Sequence, residues 1–185
     1  MFARTPRLLL RPGFPEDAPA LAAAISDETI VRNLATAPWP YRMRDAEAFL
    51  ASPRDPFLPS LLIFERTDGA PQLVGSCGLG RRPSGAVEMG YWIARAFWGR
   101  GIATEACSAL VEIARTLGLG TLEGSHFLDN PASARVLEKL GFEATGLIAP
   151  RLSCARGTDV PARLMRLRLD AAAVVEEEAE EPLAA

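Results

Sequence analysis

The stretch that most constrains this chain is Ala86–Ala106, AVEMGYWIARAFWGRGIATEA. Residues 86–94 are apolar, β-branched and aromatic, which suits a strand. Gly99 and Gly101 bracket a bend that a residue with a Cβ resists. From Ile102 to about Leu117 the pattern is helical. Glycines that feed a helix start leave backbone N–H groups free and pointing one way, at the positive end of the helix dipole. Such a turn suits an anion, above all a pyrophosphate. It lacks the Gly-Lys-Ser/Thr end of a nucleotide-triphosphate loop. It also fails the strict G-x-G-x-x-G of a dinucleotide site, because the third glycine position is Thr104. The alternative is a plain strand–helix connection whose glycines only make a turn.

The 185 residues contain no long linker, so one domain is expected over 1–170, followed by an acidic tail over 171–185. Apolar residues make up 49 % of the chain, enough for a real core. No run reaches the roughly 20 apolar residues of a membrane span, and residues 1–7 lack the apolar centre of a signal peptide. The three cysteines, Cys77, Cys107 and Cys154, show neither metal spacing nor a disulfide framework. That points to a reducing cytoplasm, with buried thiols as the expectation. With one histidine beside them, no metal site is expected. The net charge is −3, yet five glutamates sit in the tail. Setting these aside leaves 20 basic residues against 18 acidic ones, too even a balance to argue for nucleic acid.

Taken in order, residues 7–11 form a strand closed by Pro12-Gly13. Helical pieces follow at 15–25, about 27–34 and 44–51. Trp39 and Tyr41, in a proline-broken segment, are either loop packing or a wall of an acceptor pocket. Strands 60–65 and 72–79 form an antiparallel hairpin that continues into 86–94 as a meander. A strand–helix–strand unit over 86–125 requires a right-handed parallel crossover, so the sheet is mixed. Asn130 caps a helix whose first position is Pro131 and which Gly141 stops. Strands at 142–148 and 162–169 close the order, and 150–161 reads as a loop that covers a site.

Two blocks coincide: Gly90-Tyr-Trp-Ile…Phe97-Trp-Gly-Arg-Gly-Ile-Ala-Thr-Glu-Ala106, and Asn130-Pro-Ala-Ser-Ala-Arg-Val-Leu-Glu-Lys-Leu-Gly-Phe142. Together they resemble the GCN5-related N-acetyltransferase (GNAT) superfamily, in particular its RimJ/RimL-like ribosomal-protein N-terminal acetyltransferase branch. The resemblance runs over about residues 6–170. It implies an α/β (α+β) fold: a mixed, mostly antiparallel sheet of about six to seven strands, splayed at a cofactor cleft and flanked by helices. It implies acetyl-CoA, with the pyrophosphate on the amides of Gly99, Arg100, Gly101, Ile102, Ala103 and Thr104. The family's Gln/Arg at the start of this turn is Trp98 here. The pantetheine arm is expected along Trp92, Ile93 and Ala94, and at Asn130. Arg100, Ser133 and Arg135 are the candidates for the adenosine phosphates, against a solvated face for the two arginines.

Acetyl transfer to an amine needs a base for the amine proton, a donor for the leaving thiolate and a donor for the carbonyl oxygen. Glu88 is the only carboxylate on the central strand, and alternation puts it on one face with Gly90 and Trp92. It is the expected base; an ion-paired strand glutamate is the alternative. Glu105 is expected to support the helix start. The tyrosine that many family members carry seven residues after the asparagine is Leu137 here. Ser133 is the first substitute acid, before Tyr91 or water, and His126 is a further titratable group near the cleft. The expected function is acetyl transfer from acetyl-CoA to a primary amine by direct attack in a ternary complex. The acceptor is a protein N-terminus or a small-molecule amine. Neither nucleic acid nor membrane is an expected partner, and a homodimer is allowed without being specified. A non-catalytic acyl-CoA-binding sensor is the rival.

Overall fold

A computed structural model describes residues 1–169. The expected tail, 171–185, lies outside the described residues. Eight strands form one sheet: β1 (Ala3–Arg4), β2 (Leu8–Arg11), β3 (Ser60–Glu65), β4 (Gln72–Arg81), β5 (Val87–Ile93), β6 (Thr121–Phe127), β7 (Glu143–Ser153) and β8 (Thr158–Arg168). Five helices flank it: α1 (Ala18–Ile25), α2 (Glu28–Val31), α3 (Met43–Ala51), α4 (Ile102–Thr116) and α5 (Pro131–Lys139). The order across the sheet is β1-β2-β3-β4-β5-β6-β8-β7. Among the described strands only β5 and β6 run parallel. The eighth strand, beyond the expected six to seven, is the short β1, which pairs with β2 through Ala3↔Leu10.

Both faces of the sheet are covered, and the sequence of β3 shows why. Ser-Leu-Leu-Ile-Phe-Glu is apolar without alternation, as in strands buried on both sides. Leu61 and Ile63 join one core with α4 and α5, while Leu62 and Phe64 join a second core with α1, α2 and α3. On α4, Ile102, Ala106, Cys107, Leu110, Val111 and Ala114 form the buried stripe. Each leucine-sized side chain fully buried there contributes about 1.5–3 kcal/mol.

Two expectations need correction. Residues 150–161 are not a loop: β7 and β8 run on as a long hairpin, with Pro150 opposite Pro161 and Arg151 opposite Val160. Only a short turn at Cys154–Arg156 separates them, ended by Gly157 at φ 65°. Long-range pairing overrides local proline and glycine content here, because a strand edge accommodates proline. Cys154 is exposed on that turn, whereas Cys77 and Cys107 are buried.

The parallel junction is the feature that positions a site. β5 and β6 share a single register pair, Glu88↔Glu123. β4 and β5, by contrast, pair from Gly75↔Ile93 to Arg81↔Val87. Beyond Glu88 the two central strands separate, and a cleft opens between them.

Candidate active site

The glycine turn lies at the cleft. Gly99 and Gly101 have φ of 74° and 76°, in the left-handed region. A Cβ at Gly99 meets nothing within 4 Å, and one at Gly101 meets only Arg7 Nη2 at 3.6 Å. Conformation rather than space therefore demands glycine. Gly101 caps α4 with no side-chain acceptor. The first intrahelical bond runs from Glu105 N to Gly101 O at 3.0 Å. Among the described residues, no backbone or side-chain group accepts from the N–H groups of Gly99 to Thr104. Six free donors lie in succession at the positive end of a helix of 15 residues.

The N-terminal segment holds this turn in place. Glu105 accepts from Thr5 Oγ1 at 2.6 Å, Arg7 N at 3.0 Å and Arg7 Nε at 2.7 Å. Arg7 Nη1 also donates to Arg100 O at 2.9 Å. Burial pushes the Glu105 carboxyl up, but the hydrogen bonds from Thr5 and Arg7 outweigh it and hold the group below its usual range. The Arg100 side chain does not enter the cleft. It pairs with Glu65 at 2.5 Å and lies over the Phe97 ring at 5.2 Å. Ser133 and Arg135, at the start of α5, do line the cleft.

The cleft-facing edge of β5 is partly open. Ala94 N bonds Val74 O at 2.8 Å, and Trp92 lies opposite Ser76. Antiparallel alternation then turns the amides of Tyr91 and Ile93 toward β6, where no ladder meets them. Trp98 Nε1 donates to Ile93 O at 2.7 Å. The tryptophan in place of a family Gln/Arg thus ties the turn to the strand end. The groups left open for an incoming chain are the Tyr91 N–H and C=O and the Ile93 N–H. Of the expected Trp92, Ile93 and Ala94, Ile93 has its N–H on this open side, while Trp92 and Ala94 face β4. Asn130 lines the cleft and caps α5, its Oδ1 accepting from Ser133 N at 3.2 Å, and among the described residues its amide nitrogen has no partner.

Glu88 stands where the strands part, with 20 % of its side chain exposed. Ser125 Oγ donates to its Oε1 at 2.8 Å, and Arg82 Nη1 pairs with its Oε2. Each carboxylate oxygen keeps a further acceptor site. Trp92, on the same face, packs against the α1–α3 core, so this face is opposite α4 and α5. Tyr91 points the other way and its hydroxyl is 3.0 Å from Ser133 Oγ. Burial raises the Tyr91 phenol strongly, against the smaller opposing effect of the Ser133 bond, so it stays protonated at neutral pH. Leu137 is 1 % exposed in the core, so the position offers no acid. His126 lines the cleft with Nδ1 3.0 Å from Phe127 O. Tyr41 lines it too, whereas Trp39 does not.

The whole cleft encloses about 1590 Å³ and runs from α1–α3 across the sheet to α5. Its far wall is the β7–β8 turn, fastened to the chain after α2. Ser153 Oγ and Arg156 Nε donate to Arg32 O at 3.0 and 2.8 Å, and Cys154 N donates to Ala35 O at 3.1 Å. Arg156 also forks onto Asp129 at 2.8 and 3.1 Å. The Arg156 and Ser125 contacts were not anticipated from the sequence. For Ser125 a signal existed: alternation places it on the Glu88 face of β6, with Glu123. For Arg82 and Arg156 there was none. Among the described residues no group of three or more His, Cys, Asp or Glu is placed to hold a metal, and no helix is long and apolar enough to cross a membrane.

Known proteins converge on the same architecture. The family model for the acetyltransferase (GNAT) domain matches residues 7–143. An uncharacterized N-acetyltransferase of Bacillus subtilis, YoaA, is 31 % identical over 153 residues, covering 78 % of this chain and 84 % of its own length. An uncharacterized N-acetyltransferase of Bacillus licheniformis, p20, is 29 % identical over 152 residues, covering 78 % and 83 %. Among solved structures, RimL, a ribosomal L7/L12 α-N-protein acetyltransferase in complex with coenzyme A, superposes with a TM-score of 0.76 at 17 % identity. That match covers 93 % of this chain and all of the other. With the free amides before α4, the splay between β5 and β6 and the matched domain all on one chain, this protein belongs to the GNAT acetyltransferase family, whose acetyl donor is acetyl-CoA.

Proposed function

We propose that the protein acetylates a primary amine, a protein N-terminal α-amine before a small-molecule one, by direct attack within a ternary complex. The observation that carries the reading is the pairing of an amide-lined turn with a carboxylate where β5 and β6 separate. The six free N–H groups from Gly99 to Thr104 suit the CoA pyrophosphate, with no cationic side chain needed. The pantetheine arm, itself an amide chain, suits the open amides of Tyr91 and Ile93 and the free nitrogen of Asn130. Arg135, which lines the cleft, serves as a cation for a phosphate; Arg100 serves through its backbone, since its side chain is committed to Glu65. When bound, the thioester supplies an electrophilic carbonyl and a thiolate leaving group.

Glu88 takes the amine proton, directly or through one water held at a further acceptor site of its carboxylate. Ser125 and Arg82 fix the carboxylate's orientation, which a base needs as much as basicity. On the opposite face, Ser133 hydrogen-bonds the departing thiolate, which takes its proton from water, and the buried Tyr91 hydroxyl holds Ser133 in place. The N-terminal acceptor is favoured by the likeness to RimL, which acts on a ribosomal protein. The test is thiol release from acetyl-CoA with a panel of N-terminal peptides and small amines. Amine-dependent release with peptides is the expected result. Release only with small amines would move the acceptor class, and none with any amine would overturn the reading.

A further inference from the structure

The charges that line the cleft are unequal in their commitments. Each carboxylate there already has a partner. Asp45 accepts from the Arg42 N–H at 2.7 Å and caps α3. Asp129 is held by Arg156, and Glu88 by Arg82 and Ser125. The cations differ. Arg32 is paired with Asp129, Arg82 is paired with Glu88, Arg81 donates to Gly85 O at 3.3 Å, and Arg135 and Lys139 belong to α5 at the donor side. Arg151, on the far wall, makes no ion pair or hydrogen bond with any described residue. Its Nε is out of contact with solvent and has no partner. A desolvated guanidinium donor without an acceptor is costly, and such groups in native proteins call for an explanation.

The register places Arg151 on the face that carries Glu88. Ser125, which bonds Glu88, lies opposite Leu164 on β8. Val160 is on the same side of β8 as Leu164, and Arg151 lies opposite Val160. Four residues along and two strands across, the Cα atoms of Ser125 and Arg151 are roughly 16 Å apart by ladder spacing. The wall is held by the Ser153, Cys154 and Arg156 contacts with the segment after α2, so the guanidinium is presented from a fixed support.

Resting on the acetyl-transfer reading, we infer that Arg151 selects an acceptor whose amine is followed, some distance along, by a carboxylate: an N-terminal peptide with Asp or Glu near its second or third residue. The separation exceeds what the amine and α-carboxyl of a free amino acid span, since that nitrogen and carbon are only about 2.5 Å apart. It suits a peptide, whose extended backbone advances about 3.3 Å per residue. A polyamine finds no uncommitted carboxylate among the described cleft residues and meets Arg151 as a like charge.

The test is steady-state kinetics of the full chain with matched peptides, Ser-Glu-Glu against Ser-Gln-Gln N-termini, beside free glutamate and spermidine. Wild type is expected to favour the acidic peptide about tenfold or more in kcat/KM, as charge-assisted bonds allow. Arg151→Gln should bring that ratio toward one, Arg151→Lys should keep part of it, and Glu88→Gln should slow both peptides while preserving it. A wild-type ratio near one, a ratio unmoved in Arg151→Gln, or preference for glutamate or spermidine would overturn the inference. The wild-type ratio stands even if a variant fails to fold. Absence of turnover with every amine would instead sink the acetyl-transfer reading itself.

Discussion

The two sides of the cleft are built from different materials. On the function proposed above, the donor side is backbone: free amides between Gly99 and Thr104, an open strand edge at Tyr91 and Ile93, and a helix cap at Asn130. On the same proposal, the acceptor side is side chains: Glu88, Ser125, Arg82, Arg151 and the wall fastened by Arg156. Backbone recognition suits a donor that never changes, because it fixes conformation and leaves side chains free to vary. Side-chain recognition can be altered one residue at a time, which suits the part of a fold that must distinguish acceptors.

Substitutions on each side should therefore fail differently. The largest effect is expected from Glu88→Gln, which should lower kcat by about 10²–10⁴-fold, the range for loss of a general base. Calorimetry should find its acetyl-CoA affinity little changed; a parallel loss of affinity would blur the division. Next is Gly101→Val on the donor side. A β-branched residue at φ 76° is strained by at least about 1–2 kcal/mol, and relief of that strain would turn the amides away. Acetyl-CoA binding should weaken by about tenfold or more with a lower Tm, and unchanged binding would remove the turn from the donor site.

Glu105→Gln should cost about 1–3 kcal/mol in denaturant unfolding, because it breaks the charged bonds from Thr5 and Arg7. The folded carboxyl titrates below its usual 4.5, so its stabilisation is fully present above that pH and is lost as pH falls through the lower folded value. The gap between variant and wild type should accordingly narrow only below pH 4.5; a gap constant to pH 3 would contradict the assignment. The smallest effect is expected from Asp129→Asn. Asp129 itself is half exposed, so stability should change by no more than about 1 kcal/mol. The acceptor KM should rise while acetyl-CoA binding stays fixed.

The same division explains what was legible in the sequence. Gly99 and Gly101 announce a left-handed turn, and Asn130-Pro131 announces a helix start, because backbone requirements leave local marks in residue type. The meander β3–β4–β5 and the parallel crossover followed from turn lengths in the same way. The acceptor wall left no such mark. Arg156 reaches Arg32, 124 positions away, and nothing near either residue signals the contact. Proline and glycine in 150–161 suggested a loop, but β8 enters the sheet between β6 and β7 and extends both hairpin strands. Arg100 shows the converse error: a cation beside a phosphate turn reads as a phosphate ligand until Glu65 is seen to hold it.

Cys154 gives the cleft a chemical address. Burial pushes the Cys77 thiol up to about 12 and the Cys107 thiol well above its usual value, so neither offers a thiolate at neutral pH. Cys154 is exposed at the rim, on the turn between β7 and β8. A maleimide or a fluorinated alkylating reagent should thus mark one position per molecule, in the native sequence and without engineering. The label would sit on the acceptor wall rather than in the donor turn. Acceptor docking and donor docking then become separable events by emission or fluorine resonance, watched from a single atom.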